Sequence, residues 1–240
     1  MKKTSLLILF FVAQGILGQN KMKPLSELIN TTDSSWPIVQ EWIKSAKNKA
    51  EILELDSATD KNALYNTQVT TRSPMGAIIY YTGGIIIDNG WIRILGSGNS
   101  KLTSSISNWN KGKSFKEYGD SPPFLLIADD AIGGFYILNG GAFGNDFGKI
   151  YYSAPDSLEY EPLNITYSEF ILFCLNNDLD AFYKGLRWKN WEKDVKNLNY
   201  DKTYNFYPYL WTKEGKEIEK NAKTEVPVEE QYSLKIGYYK

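Results

Sequence analysis

The sequence predicts a single α+β domain whose sheet is mainly antiparallel and is flanked by helices. Short runs rich in β-branched and aromatic residues between positions 77 and 161 are separated by Gly-Gly, Asn-Gly and Pro-Asp turn signals. Helical patterns stand before and after this strand region. The 240-residue chain has neither an internal repeat nor a low-complexity linker that would divide it.

The first eighteen residues are typical of a signal peptide. Lys2 and Lys3 form a basic start, residues 5–17 are mostly apolar, and Gly18 is a suitable cleavage position. The apolar run is shorter than the roughly 20 residues that a membrane-spanning helix needs. A retained N-terminal anchor is the alternative. We expect cleavage, so residues 19–240 would form a periplasmic or secreted protein with no membrane span.

Two helices are predicted before the strand region. Asp33, Ser34 and Ser35, followed by Pro37, form a helix start signal. The apolar residues after it fall at helical spacing and predict one face packed on the core: Val39, Trp42, Ile43 and Ala46. A weaker helix is expected over residues 56–66.

The strand pattern then continues to residue 161. The predicted strands are 77–82, 85–88, 91–95, 124–128, 134–138, 149–153 and a short edge at 158–161. Because the first three are joined by very short turns, we expect an antiparallel meander. The polar segment 96–119 between the two groups contains Trp109, which we expect to anchor it partly.

The last third of the chain is predicted to be mostly helical. Thr166 and Glu169 have the spacing of a capping box and begin a helix. Residues 176–178 interrupt that helix, and Gly185 ends its second piece. A further amphipathic helix is predicted from the spacing of Trp188, Trp191, Val195 and Leu198.

The residue inventory excludes several classes of chemistry. The chain has no histidine, which excludes Ser-His-Asp and Cys-His catalysis and every zinc site containing histidine. Cys174 is the one cysteine and lies on an apolar stripe, so we expect a core residue. Without Lys2 and Lys3, 25 basic residues face 28 acidic ones, and no basic stripe suits nucleic acid. We predict no catalytic residue, metal or cofactor.

The Asp129-Asp130 pair is placed by the pattern in the tight turn of a hairpin. Paired carboxylates can bind a cation or share a proton. The alternative is ordinary turn chemistry, in which an Asp side chain accepts hydrogen bonds from nearby backbone. We favour turn chemistry because the same segment has no third acidic ligand.

Several polar and glycine-rich loops are candidates for binding. Residues 140–144 resemble a phosphate loop but lack its Lys and Ser/Thr, so a tight turn is favoured. Arg72 is expected to pair with Glu229 or Glu230, or to receive a carboxylate of a partner. Alternation along a strand predicts that one of Tyr151 and Tyr152 points outward. The predicted binding residues are Arg72, Trp109, Asp129, Asp130, Asn139, Phe143, Asp146 and Glu229.

The stretches FLLIADDAIGGFYILN, GKIYYSAPDSLEYE and TYSEFILFCL resemble the SUKH superfamily. The whole chain from residue 25 to residue 232 is also similar to an uncharacterised bacterial family. The stretches that carry this second resemblance are SSWPIVQEWIKSAKN, QVTTRSPMGAIIYYTGGIIIDNGWIRILGSG, YKGLRWKNWE, FYPYLWT and VPVEEQY. The SUKH resemblance implies a mixed α+β fold. Many bacterial members of that superfamily act as immunity proteins that bind toxins, and others are regulatory adaptors. The resemblance implies no shared catalytic residues.

We therefore expect an exported, non-catalytic protein that binds a toxin-like or envelope protein. The abundance of Tyr and Trp supports this expectation, because aromatic side chains dominate interface hot spots. The alternative is a hydrolase of envelope glycans that uses two carboxylates. Its candidate residues are Asp129, Asp130, Asp146 and Glu229. A third hypothesis is that the chain is a structural protein of the envelope.

Overall fold

A seven-stranded antiparallel sheet forms the centre of the computed structural model, which describes residues 22–55 and 62–238. Its strands follow one another in chain order. They are β1 (Ala50–Leu53), β2 (Gly84–Ile87), β3 (Ile92–Leu95), β4 (Phe124–Asp130), β5 (Phe135–Asn139), β6 (Lys149–Ser153) and β7 (Tyr160–Thr166). The predicted single α+β domain with a mainly antiparallel sheet and flanking helices is confirmed. The predicted signal peptide, residues 1–18, lies outside the described residues.

Helices account for most of the other regular structure. They are α1 (Leu25–Leu28), α2 (Trp36–Lys44), α3 (Ala63–Thr67), α4 (Pro74–Tyr81), α5 (Ile106–Asn110), α6 (Tyr167–Asn176), α7 (Leu179–Phe182), α8 (Trp191–Asn197) and α9 (Val228–Ile236). The start signal at Ser35 and the capping box of Thr166 and Glu169 are confirmed, since they begin α2 and α6. Residues 56–61 of the weaker predicted helix lie outside the described residues, and α3 forms its end.

The prediction of a strand at 77–82 is wrong, because these residues belong mainly to α4. Ser73 caps this helix by accepting a hydrogen bond from the Gly76 amide, and Pro74 stands in its first turn. Residues 75–79 are all buried, so the helix is apolar on every side. A buried helix and a buried strand give the same continuous apolar run. The Ser-Pro start signal was the distinguishing feature.

A second, smaller sheet pairs β8 (Lys202–Tyr207) with β9 (Ala222–Pro227). Neither strand was predicted, and β1 was also missed. Five of the six β9 residues are exposed, so the strand lacks an apolar alternation. The sheet is attached to the larger one because the Tyr204 amide donates to the Ala131 carbonyl at 2.8 Å.

Residues on both faces of the seven-stranded sheet are buried. Tyr152 stacks on Tyr136 with ring centroids 4.5 Å apart, whereas Tyr151 stacks on Phe143 at 4.9 Å. Tyr151 and Tyr152 are only 8% and 3% exposed, so the expected outward-pointing tyrosine is covered. The prediction failed because a loop after β5 packs over the second face. Cys174 is fully buried, as predicted.

The longest described helix, α6, has ten residues. Within residues 22–55 and 62–238, no helix combines the length and apolarity needed to cross a membrane.

Candidate binding site

Asp129 and Asp130 are the last two residues of β4, so their predicted position in the hairpin turn is wrong. Asp129 lies directly opposite Arg93 on β3, and the Arg93 Nε to Asp129 Oδ1 distance is 2.5 Å. The Arg93 side chain is fully buried and that of Asp129 is 5% exposed. Arg93 also donates to the carbonyl oxygens of Lys202 at 2.6 Å and Asp130 at 2.7 Å. This ion pair joins β3, β4 and the start of β8.

Burial raises the pKa of Asp129 to about 6, because the charged carboxylate has lost its hydration. The Arg93 guanidinium acts in the opposite direction and lowers that pKa. The carboxylate is therefore mostly charged at pH 7 and faces the Arg93 guanidinium. The pair is internal and neutral, which is the arrangement of a structural ion pair.

Asp130 is fully buried at the centre of a hydrogen-bond network. Its Oδ1 accepts from the Ile132 amide at 3.1 Å and the Gly134 amide at 2.7 Å, as in the favoured turn chemistry. Its Oδ2 accepts from the hydroxyl groups of Tyr152 at 2.6 Å and Tyr183 at 3.3 Å. Burial raises the pKa of both tyrosines well above the ordinary value, so both phenols keep their protons.

Gly134 leaves the space that this network needs. A Cβ atom there would overlap Asp130 Oδ2 and lie 2.5 Å from the Tyr152 hydroxyl. We expect Gly134→Ala to lower the free energy of unfolding by about 2–4 kcal/mol, through overpacking and lost hydrogen bonds. Urea titration measures this change. Gly237→Ala is the control, since its Cβ would meet its nearest backbone oxygen at 3.3 Å and we expect a change within about 0.5 kcal/mol. Equal effects would contradict the assigned role.

The remaining predicted residues fall into separate groups. Arg72 pairs with Asp33 at 3.3 Å, and Glu229 pairs with Lys113 at 2.8 Å, so the predicted Arg72–Glu229 pairing is wrong. Trp109 is 7% exposed, and its ring lies beneath the Lys113 ammonium at 4.0 Å. Trp109 and Glu229 thus belong to one cluster through Lys113.

Asn139, Phe143 and Asp146 do come together: Asn139 ends β5, and the other two lie in the loop that follows it, residues 140–147. We call this segment the Asn139 loop. The Asn139 amide oxygen accepts from the backbone of Gly141 at 2.8 Å and of Phe143 at 3.2 Å. Its nitrogen donates to the Gly144 carbonyl at 3.2 Å and to Asp146 Oδ1 at 2.7 Å. One buried side chain therefore fixes the path of the entire loop.

The loop is also anchored from beneath by aromatic side chains. Phe143 packs against Tyr151 at 4.9 Å and Tyr160 at 4.6 Å between ring centroids. The Tyr151 hydroxyl donates to Asp146 Oδ2 at 2.9 Å, and this hydrogen bond raises the pKa of Tyr151. The amides of Gly140 and Ala142 both donate to the Pro123 carbonyl, at 2.9 and 3.0 Å.

Phe147 is the exposed apolar feature of this loop and was missed by the sequence reasoning. Its side chain is 67% exposed, and its ring lies beside Gly141. The signal in the sequence was an aromatic residue inside a run of Gly, Asn and Asp. Sequence alone did not separate it from Phe143, which points inward.

Three surface grooves offer alternative sites. Two of them share Met22 and Lys23 and have volumes of about 440 and 760 Å³, and a third of about 500 Å³ lies beside α2. Among the residues that the structure describes, each is lined by one carboxylate: Asp120, Glu27 and Glu41 respectively. Within the described ranges, no cluster of three or more Cys, Asp or Glu side chains is placed to hold a metal ion.

The chain is similar to proteins without a described function. A family model described as a protein of unknown function, DUF2625, matches residues 25–231. An uncharacterized protein of Haemophilus influenzae is 45% identical over 216 residues, which cover 90% of this chain and 95% of the relative. The putative uncharacterized protein YbfG of Escherichia coli is 45% identical over 190 residues, which cover 79% of this chain and 86% of the relative. The expected uncharacterised bacterial family is confirmed.

Proposed function

Because this chain belongs to the DUF2625 family of unknown function, we propose its role from the signal-peptide pattern of its sequence and the geometry of its surface: an exported, non-catalytic protein that binds a protein partner. The partner would be a toxin-like or envelope protein, so the role is of the immunity or adaptor type. The proposed contact surface is the Asn139 loop, with Phe147 at its centre.

The carrying observation is an exposed aromatic side chain on a loop that is already fixed. Phe147 exposes 67% of its surface, while Asn139 holds both neighbours of Phe147: its side chain donates to Asp146 at 2.7 Å, and its carbonyl accepts from the Gly148 amide at 2.8 Å. Ordering a loop upon binding costs free energy, so a preformed loop retains more of its contact energy as affinity. Aromatic residues are also enriched among the side chains that dominate such interfaces.

The carboxylate hydrolase receives less support from the same geometry. Two catalytic carboxylates must flank a substrate in an open cleft. Asp129 and Asp130 are buried among internal partners, and Asp146 accepts hydrogen bonds from Asn139 and Tyr151. None of these three lines the grooves described above.

We also propose that the domain is SUKH-like. The supporting observation is the succession of β4, β5 and β6 followed by β7 and the capped helix α6. A crystal structure tests this proposal by superposition on SUKH members. A different path of the chain through these five elements would refute it.

The binding proposal predicts that Phe147→Ala loses a specific partner. The protein is purified from the envelope of its native cells, where an intact mass starting after residue 18 would support export. Captured proteins are compared by quantitative mass spectrometry for wild type, Phe147→Ala and Ile38→Ala. Ile38 is the matched control, since it is an apolar residue 51% exposed on α2.

We expect one near-stoichiometric partner that Ile38→Ala retains and Phe147→Ala loses by at least tenfold, equivalent to about 1.4 kcal/mol. Equal capture by wild type and Phe147→Ala would place the partner elsewhere. A wild-type protein without any partner would refute the binding role and direct the next assay to glycan hydrolysis.

A further inference from the structure

A second exposed aromatic cluster lies at the end of β8 and the end of α9. We call it the C-terminal patch: Tyr207, Tyr209, Trp211 and Tyr238. Tyr207 is 70% exposed and Tyr238 is 45% exposed. Tyr209 and Trp211 stack with centroids 4.5 Å apart and planes inclined by 15°. Tyr238 completes the cluster at 5.4 Å from Trp211 and 5.9 Å from Tyr209.

The backbone beneath this patch is fixed. The Thr212 hydroxyl donates to the Tyr209 carbonyl at 2.7 Å and accepts from the Gly215 amide at 3.1 Å. Asn221 donates to the Gly215 carbonyl at 2.7 Å, and the intervening Leu210 is buried. A Cβ atom on Gly215 would overlap the Tyr209 carbonyl, so the two segments pack directly together. The patch is therefore preformed and would lose little entropy on binding.

The charges next to the patch are balanced. Residues 213–220 contain three lysines and three glutamates, and their backbone packs against Tyr209 through Gly215. In a two-fold symmetric dimer both copies contribute the same surface to the interface, so that surface must be complementary to itself. A rim of one sign would repel its own copy, whereas this rim holds equal numbers of both signs, and two of its lysines are paired within the chain, Lys220 with Glu217 at 2.6 Å and Lys216 with Asp156 at 3.8 Å.

We propose that the C-terminal patch is the interface of a two-fold symmetric dimer of this chain. An apolar aromatic centre with a mixed polar rim has the composition of a protein–protein interface. A stable dimer needs about 800 Å² from each copy, which is more than the four rings expose, so Ile236, 39% exposed, and the rim at residues 213–220 would have to contribute as well. The proposal is independent of the Asn139 loop and its partner.

Sedimentation velocity of the purified protein tests the proposal across roughly 1–100 μM, the range in which micromolar dimers dissociate. We expect twice the monomer mass for wild type and for Phe147→Ala. The double variant Tyr207→Ala/Tyr238→Ala and the single variant Tyr238→Ala are expected to raise the dissociation constant at least tenfold. Circular dichroism establishes that each variant is folded.

A monomeric wild type over this range would overturn the proposal. A dimer that both folded variants retain would overturn it equally, by placing the interface elsewhere. If wild type is monomeric and the patch variants instead lose another protein or a glycan, that occupant replaces the second copy. Loss of the partner by Phe147→Ala with an intact dimer would separate the two proposals.

Discussion

Asp129→Ala is expected to lower the free energy of unfolding by about 3–5 kcal/mol at pH 7.5, because it leaves a buried guanidinium without its counter-charge. The Arg93 side chain is fully buried and lies 2.5 Å from Asp129 through Nε. Its other nitrogens remain bonded to neutral carbonyl oxygens, which cannot balance the positive charge. Chemical denaturation followed by tryptophan fluorescence measures the loss.

The matched control is Glu51→Ala. Glu51 also pairs with a cation across neighbouring segments, since its carboxylate lies 3.2 Å from Lys101, but the two side chains are 48% and 63% exposed. Exposed pairs are worth at most about 1 kcal/mol, so we expect a small change. A similar small loss for Asp129→Ala would show that water reaches Arg93 and that the assigned internal pair is incorrect.

The fold was largely predictable where local and tertiary preferences agree. The turn at Asp88–Gly90 joins β2 and β3 as expected, because Asn89 and Gly90 adopt positive φ angles of 61° and 105°. The capping box of α6 likewise depends on two residues three positions apart. Both signals are local, so sequence alone could identify them.

The predictions that were wrong concern features that depend on contacts between residues distant in the sequence. The run in α4 is apolar on every side because other elements surround it, which no local pattern reports. Arg93 and Asp129 are 36 residues apart in the sequence, and only the β3–β4 register brings them together. No local sequence pattern distinguishes a buried, ion-paired Asp129 from an exposed, ligand-binding one. The predicted binding face therefore combined internal residues with exposed ones.

Lys235 supplies the second large expected effect. It lies on α9 and is 1% exposed, with its ammonium donating to the carbonyl oxygens of Ser153, at 2.9 Å, and Ala154. Burial lowers its pKa from 10.5 to about 7, although Asp130, Asp156 and Glu161 act to raise it. The folded protein therefore holds this lysine mostly neutral at pH 8–9, while the unfolded chain binds the proton.

The sign of the pH dependence follows from this difference in bound protons. Between pH 7 and pH 10.5 the unfolded state binds up to one more proton, so stability from this group rises with pH and is lost as pH falls toward 7. The full slope is about 1.4 kcal/mol per pH unit. From pH 7.5 to 9.5 we expect wild type to gain about 2–3 kcal/mol relative to Lys235→Met.

Urea titrations of both proteins at several pH values measure this difference, and other titrating groups cancel in the comparison. Lys44→Met is the control, because the Lys44 side chain is 78% exposed and keeps its hydration when the chain folds. Its difference from wild type is expected to stay constant with pH. A constant difference for Lys235→Met as well would mean that Lys235 remains protonated in the folded state. In that case its ammonium, held by the strand-end carbonyl oxygens of Ser153 and Ala154, would anchor α9 as a permanent cation.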